Sequence, residues 1–208
     1  VRSLPITTLG YPTKYGFGGA ALSPAPWLIM THRCLLVQFL QRGELKTLMF
    51  NPTDDVAARK TPFFERTIRQ FGDYIAFNLL AKRFDSLEHQ LAALGVTRES
   101  VDYVAFDHFH TQDFRGLLGT QDAAHAPRFP NAKLLAQRAE WDDWDDLHPL
   151  QRAWYVAAGK ATVRTNQVVL LDGDFELGDG VMLLRTPGHT SGNQTLFVNT
   201  PDGIWGSS

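Results

Sequence analysis

Asp-His-Phe-His-Thr-Gln-Asp-Phe-Arg-Gly-Leu-Leu-Gly-Thr, residues 107–120, is the stretch on which the reading of this chain turns. It follows Val-Asp-Tyr-Val-Ala-Phe at 101–106, an apolar run with β-branched and aromatic residues that predicts a buried strand. His108 and His110 therefore stand where a strand gives way to a loop. In extended chain, side chains i and i+2 point the same way, roughly 6 to 7 Å apart at the backbone, so two imidazoles can converge on one metal ion. Asp113 follows within loop reach of both.

A second stretch, Arg-Thr-Pro-Gly-His-Thr-Ser-Gly-Asn-Gln-Thr-Leu-Phe-Val at 185–198, sets His189 in a Pro/Gly turn between two strand-like runs. A rigid turn of this kind can present a third ligand. Three imidazoles plus water make an open catalytic zinc site. His108, His110 and His189 are the candidate ligands, nitrogen donors suited to zinc and also acceptable to iron, cobalt or nickel.

The strand followed by His108-x-His110, together with the Thr-Pro-Gly-His-Thr-x-Gly turn at 186–192, resembles the metallo-β-lactamase superfamily. The order of elements from residue 27 to residue 207 fits it, and residues 130–141 and 193–198 are most similar to its lactonase-like branch. The resemblance implies an α/β fold, an αββα sandwich of mixed β-sheets, with a first metal site at His108, His110 and His189. It implies an altered second site. The family pattern runs His-x-His-x-Asp-His, whereas Gln112 and Asp113 occupy its last two positions here, and Ser207 falls where a bridging aspartate is usual. A neutral amide and a hydroxyl are poor replacements, so one ion is expected, zinc or else iron. Asp113 remains a strong donor, as a metal ligand, a general base or an orienter of water, and Gln112 is a hydrogen-bonding partner for substrate or ligand. Arg115, where the family has a small glycine, either pairs with Asp113 and lowers its pKa or faces a substrate carboxylate; the pairing is preferred. Asn193 replaces a frequent histidine. The polar turn at 51–55 occupies the place of one that buttresses the metal loop in the resembled family.

Composition sets the outer bounds. The 208 residues are 44% hydrophobic and 20% charged with a formal net charge of −2, which suits one soluble domain over 1–208 and argues against a nucleic-acid footprint. No run reaches the roughly 18 to 20 apolar residues a membrane helix needs, and no secretory leader is visible, so a cytoplasmic location is expected. Cys34 is the single cysteine and, among Leu35, Leu36 and Val37, is expected to be a buried structural thiol. The chain begins at Val1 and stops at Ser208 just after a strand-like run, so a fragment lacking its C-terminal part is expected, with an exposed sheet face that favours a homodimer.

Residues 1–26 are rich in Gly and Pro and read as an irregular entry segment or an extended edge, the glycines at 16–19 serving as turn punctuation. Runs at 27–40 and 45–50 predict a hairpin turning at Gly43, with a structural His32. Asp54 and Asp55 read as a helix-start or turn pair. Residues 62–94 predict helix in two pieces broken near 84–86, with Ser86 as N-cap, Leu87, Leu91 and Leu94 on one face, Gly95 as the stop and His89 on the polar side. The aromatics Phe63, Phe64, Phe71, Tyr74, Phe77 and Phe84 are assigned to packing, with the wall of an apolar acyl pocket or a dimer contact as the alternative for some of them. A strand at 132–136 and a helix from Glu140 follow, the helix carrying Trp141, Trp144 and a solvated acidic face. Short strands are expected at 168–171, 175–177, 181–184 and 195–198, with another beginning at 204. His125 and His148 lie in loops and are given no role.

Three functional readings stay open. The first is a metal-dependent hydrolase of a small-molecule ester or lactone, in which a metal-activated water attacks the carbonyl. The second is a mononuclear iron oxidoreductase using two histidines and Asp113. The third, drawn from the departures at Gln112, Asp113, Arg115, Asn193 and Ser207, is a member whose catalysis has decayed into binding.

Overall fold

Strand β2 (Trp27–Gln41) is the axis of the larger of two sheets in the computed structural model, which describes residues 1–13, 24–75 and 81–208. It turns through Arg42 and Gly43, both at positive φ (53° and 81°), into β3 (Glu44–Phe50). Two consecutive positive φ values make the turn whose twist matches a hairpin, and glycine takes the second without strain. On the other side β2 pairs antiparallel with β1 (Arg2–Pro12). Beyond β3 the sheet becomes parallel, through β5 (Tyr103–Ala105), β6 (Lys133–Gln137) and β7 (Val168–Leu171). The second sheet is antiparallel and holds β8 (Phe175–Gly178), β9 (Val181–Arg185), β10 (Gln194–Thr200) and β11 (Gly203–Ser207).

Alternation along each strand splits the core in two, as a period of two requires. Val37, Leu48, Ala105 and Leu135 face the second sheet and pack on Leu183, Leu196 and Val198. Their neighbours Leu36, Met49, Val104 and Leu134 face the helices, against Leu91, Phe114 and Leu118. Helices, sheet and sheet are thus stacked in the α/β sandwich order; the larger sheet is mixed as expected, whereas the smaller is antiparallel throughout. On the edge strand β11, Ile204 and Trp205 are 73% and 61% exposed. Among the described residues no helix is long and apolar enough to cross a membrane.

One expectation is decided and another corrected. Of the two readings of the N-terminal segment, residues 2–12 take the extended one and form β1, which is paired on both sides rather than lying at the edge. Its prolines are tolerated because Pro5 sits at the register shift between Pro5 and Thr7 and Pro12 is the last residue, places where a missing N–H costs the ladder little. The glycines at 16–19 lie outside the described residues, as does Phe77. The helical reading of 62–94 is broken by a strand: helix Pro62–Phe71 closes at Gly72 (φ 79°), and β4 (Ala81–Arg83) then pairs with Thr7, Thr8 and Leu9. Pairing with an available sheet edge outweighs local propensity over three residues.

The helices are numbered α1 (Asp55–Ala58), α2 (Pro62–Phe71), α3 (Leu87–Ala93), α4 (Phe114–Leu118) and α5 (Arg138–Asp143). Asp54 caps α1, its Oδ1 accepting from the N–H groups of Val56 and Ala57, and Ser86 caps α3 through the N–H of His89. Leu87 and Leu91 are buried, but Leu94 is 42% exposed because α3 ends before it. The helix expected from Glu140 starts two residues earlier, and Asp142, Asp143, Asp145 and Asp146 are exposed on it and on the turn that follows. Cys34 is fully buried, and burial pushes its thiol pKa up, so it stays protonated.

Candidate metal centre

The first histidine loop is launched from β5 and clasped at once. Asn51, at the end of β3 with φ 58°, donates its N–H to the Ala105 carbonyl and accepts the Asp107 N–H on its side-chain oxygen, at 2.8 and 3.0 Å. Alternate side chains of the loop then fall on opposite sides. Phe109 is buried against Phe114 and Trp144, which leaves His108 and His110 on the other side, facing a cleft. His189 arrives from the loop between β9 and β10. There the Gly188 N–H donates to the Thr190 carbonyl, and the Gln194 N–H reaches the Asp107 carbonyl at 2.8 Å, stapling one loop to the other.

A buried carboxylate makes the second staple. Glu140, 2% exposed on α5, accepts the Phe109 N–H at 2.9 Å and the Tyr155 hydroxyl at 2.9 Å on Oε1, and the Gly192 N–H at 3.2 Å on Oε2. Phe109 lies between His108 and His110, and Gly192 follows three residues after His189. Only glycine fits at 192, since a Cβ there would lie 2.3 Å from the Glu140 backbone nitrogen. Beside this carboxylate, burial and the negative charge raise the Tyr155 pKa, so the hydroxyl stays a donor.

The three rings close a triangle, with centroids 4.6, 4.7 and 4.8 Å apart and planes near perpendicular. His110 Nδ1 and His189 Nε2 are 3.2 Å apart, and one nitrogen from each histidine lies within 4.8 Å of the others. His108 Nδ1 is buried 2.9 Å from Asp107 Oδ1, too oblique for a hydrogen bond. Burial first, and then the charge of His108, push the His110 pKa down to about 3 against the opposing contact from Gln151; the same two causes lower His189. Both rings are neutral near pH 7, the form that coordinates a metal. Three converging imidazoles fit a nitrogen-preferring divalent ion.

Asp113 is not brought to the triangle. It caps α4 by accepting the Arg115 N–H and takes Arg115 Nε and Nη2 at 2.9 and 2.6 Å, the pairing preferred from the sequence. Burial alone would raise its pKa, but Arg115 outweighs that and holds it below the usual carboxylate range. Among the described residues, the only group of three or more that can share a metal is His108, His110 and His189. They line a cleft of about 600 Å³ with Gln112, Trp154 and Ser207, whereas Asp113 lines a separate depression of about 120 Å³ with Lys60 and His125. Gln112 is buried, and both its amide hydrogens are used, to Thr53 Oγ1 at 2.9 Å and the His110 carbonyl at 3.1 Å.

The other histidines stay apart. His32 borders the cleft with its Nε2 buried and without a partner, and burial lowers its pKa. His89 pairs with Asp85 at the surface, and His148 Nδ1 accepts the Leu150 N–H. Asn193 donates to Ser208 Oγ and Thr186 Oγ1. Glu140, Tyr155 and Gln151 went unread as site residues. Glu140 lay inside the lactonase-like stretch 130–141, but no spacing marks the other two.

No family model matches the chain. A curated N-acyl homoserine lactonase of Bacillus thuringiensis is 28% identical over 131 residues, 62% of this chain and 46% of that protein. This chain thus spans about half the length of the curated relatives it matches. Among solved structures, a quorum-quenching N-acyl homoserine lactone lactonase superposes on 97% of this chain and 69% of its own with a TM-score of 0.61 and 20% identity. The dizinc quorum-quenching lactonase AidC, in complex with a product, covers 98% of this chain and 68% of its own, with a TM-score of 0.61 and 15% identity.

Proposed function

We propose that this chain, which has the metallo-β-lactamase fold and N-acyl homoserine lactonases among its homologues, is a metal-dependent hydrolase that opens a lactone or ester bond. The observation that carries the reading is the convergence of three histidines, two of them held neutral, on loops stapled together by Glu140. His108, His110 and His189 would hold one ion. Such an ion, when bound, polarises a carbonyl and lowers the pKa of water to about 7.

The chain's own groups divide the remaining work. Gln112 has spent both amide hydrogens, so toward a ligand it acts only as an acceptor through its carbonyl oxygen. Asp113 anchors the end of the loop through Arg115, and it joins the chemistry as ligand or base only when that pair opens. An apolar cavity of about 290 Å³ lined by Ile6, Leu9, Met30 and Phe64 adjoins the cleft and suits the hydrocarbon part of a substrate.

A catalytically decayed binding member is the second reading, favoured by the commitment of Asp113 to Arg115. Zinc-loaded protein assayed against lactones and esters of short and long acyl chains, beside elemental analysis, separates the two. One equivalent of zinc with turnover that disappears in His110→Ala supports the hydrolase. Bound metal without turnover on any of these substrates supports the binding member, and iron with oxygen uptake supports an oxidoreductase.

A further inference from the structure

Gln151 lies in the irregular connection between α5 and β7, forty-one residues beyond His110. Its side-chain amide touches both histidine loops. Oε1 lies 2.5 Å from His110 Nε2, and Nε2 donates to the backbone carbonyl of His189 at 3.1 Å. A carbonyl can only accept, so the second contact requires the NH₂ end of the amide to face His189 and fixes which end faces His110. The oxygen facing His110 also can only accept. The proton of a neutral His110 must then sit on Nε2, which leaves the Nδ1 lone pair directed at His189 Nε2, 3.2 Å away.

The structure assigns Gln151 as the positioning residue that sets the tautomer of His110, so that Nδ1 is its metal-facing atom, and ties that choice to the position of the His189 loop. Other neighbours fix where the ring sits but not where its proton is. Tyr155 meets it edge-on at 5.1 Å between centroids and Trp154 lies at 6.1 Å, and neither contact distinguishes the two nitrogens by hydrogen bonding. A partner on the far nitrogen of a ligating histidine is what orients such a ring and raises its basicity. The assignment rests on the metal-binding half of the function proposed above and is independent of the substrate.

The test reads the tautomer directly. Long-range ¹⁵N–¹H spectra of the metal-free protein are recorded for wild type, Gln151→Leu and Gln151→Glu, with zinc affinity measured on the same samples by competition with a chelator. Expected are an Nε2–H tautomer in wild type, a mixed or Nδ1–H state in Gln151→Leu, and zinc affinity on the order of 10- to 100-fold weaker in that variant. Gln151→Glu, which keeps an acceptor, restores the Nε2–H signature although it loses the donor to His189. An Nδ1–H tautomer in wild type, or an unchanged tautomer and affinity in a folded Gln151→Leu, overturns the assignment. Wild type that binds no zinc defeats the proposed function, while the spectra still decide what Gln151 does.

Discussion

Residues 107–110 and residues 112–115 are adjacent halves of one loop, yet they do opposite things. The first half sends two histidines to meet His189, while the second ties Gln112 to Thr53 and Asp113 to Arg115. The difference lies in what each side chain finds nearby. The three imidazoles find one another, with Asp107 and Gln151 beside them, and keep nitrogens directed at a shared point. A carboxylate two residues from a guanidinium closes a bidentate pair on its own helix terminus. Spacing alone therefore identifies donors, and local pairing decides which of them stay available.

The largest effect expected from this contrast is in metal content. His110→Ala should remove the bound equivalent and lower any hydrolytic kcat/KM by at least about a thousandfold, on the order of what loss of a central electrostatic group costs. Asp113→Asn should retain the metal and lose less than about tenfold. Elemental analysis of both variants checks this, and an Asp113→Asn protein stripped of metal would break the comparison by making the carboxylate a ligand in solution.

Next in size is the staple between the loops. Glu140→Ala leaves the Phe109 and Gly192 N–H groups and the Tyr155 hydroxyl without their acceptor in a buried place, so a loss of about 3 kcal/mol is expected in a urea melt. Glu140→Gln keeps one acceptor and should fall between. Gly192→Ala should reduce metal affinity as well as stability, because its Cβ can be housed only by moving the His189 loop off α5. A Gly192→Ala protein with wild-type affinity would show that the two loops are not coupled through this contact.

The Asp113–Arg115 pair is worth less. Arg115→Ala should cost about 1 to 2 kcal/mol near pH 7, since hydrogen bonds to a mostly buried carboxylate are lost. The sign with pH follows from Asp113 being held below its usual range: the contribution is present above the unfolded value of about 3.9 and is lost as pH falls through the lower folded value. Wild type and Arg115→Ala stabilities should therefore converge in acid. A gap that widens as pH falls would contradict the pairing.

Much of the architecture was legible because it is written in short-range pattern. The β2–β3 hairpin follows from its turn, the second sheet from Gly/Asp punctuation, and the triad from His-x-His after a strand end and a Pro/Gly turn. β1 was left undecided between extended and irregular chain by Pro5 and Pro12, whose harmless placement at a bulge and a strand end shows only once the partner strand is known. β4 was hidden by its length and its charged residues Lys82 and Arg83. Glu140 and Gln151 act across 31 to 52 residues of sequence, so no local period could signal them.

The smallest expected effect tests the second half of the loop once more. Thr53 Oγ1 accepts one Gln112 amide hydrogen at a buried site, and Thr53→Val removes that acceptor at nearly constant volume. A loss of about 1 kcal/mol is expected in a thermal or denaturant melt. Zinc affinity should stay unchanged, because the other amide hydrogen still holds the His110 carbonyl and the histidine nitrogens are untouched. If Thr53→Val instead weakens zinc binding, Gln112 belongs functionally to the first half of the loop, and the boundary between the halves moves two residues toward Asp113.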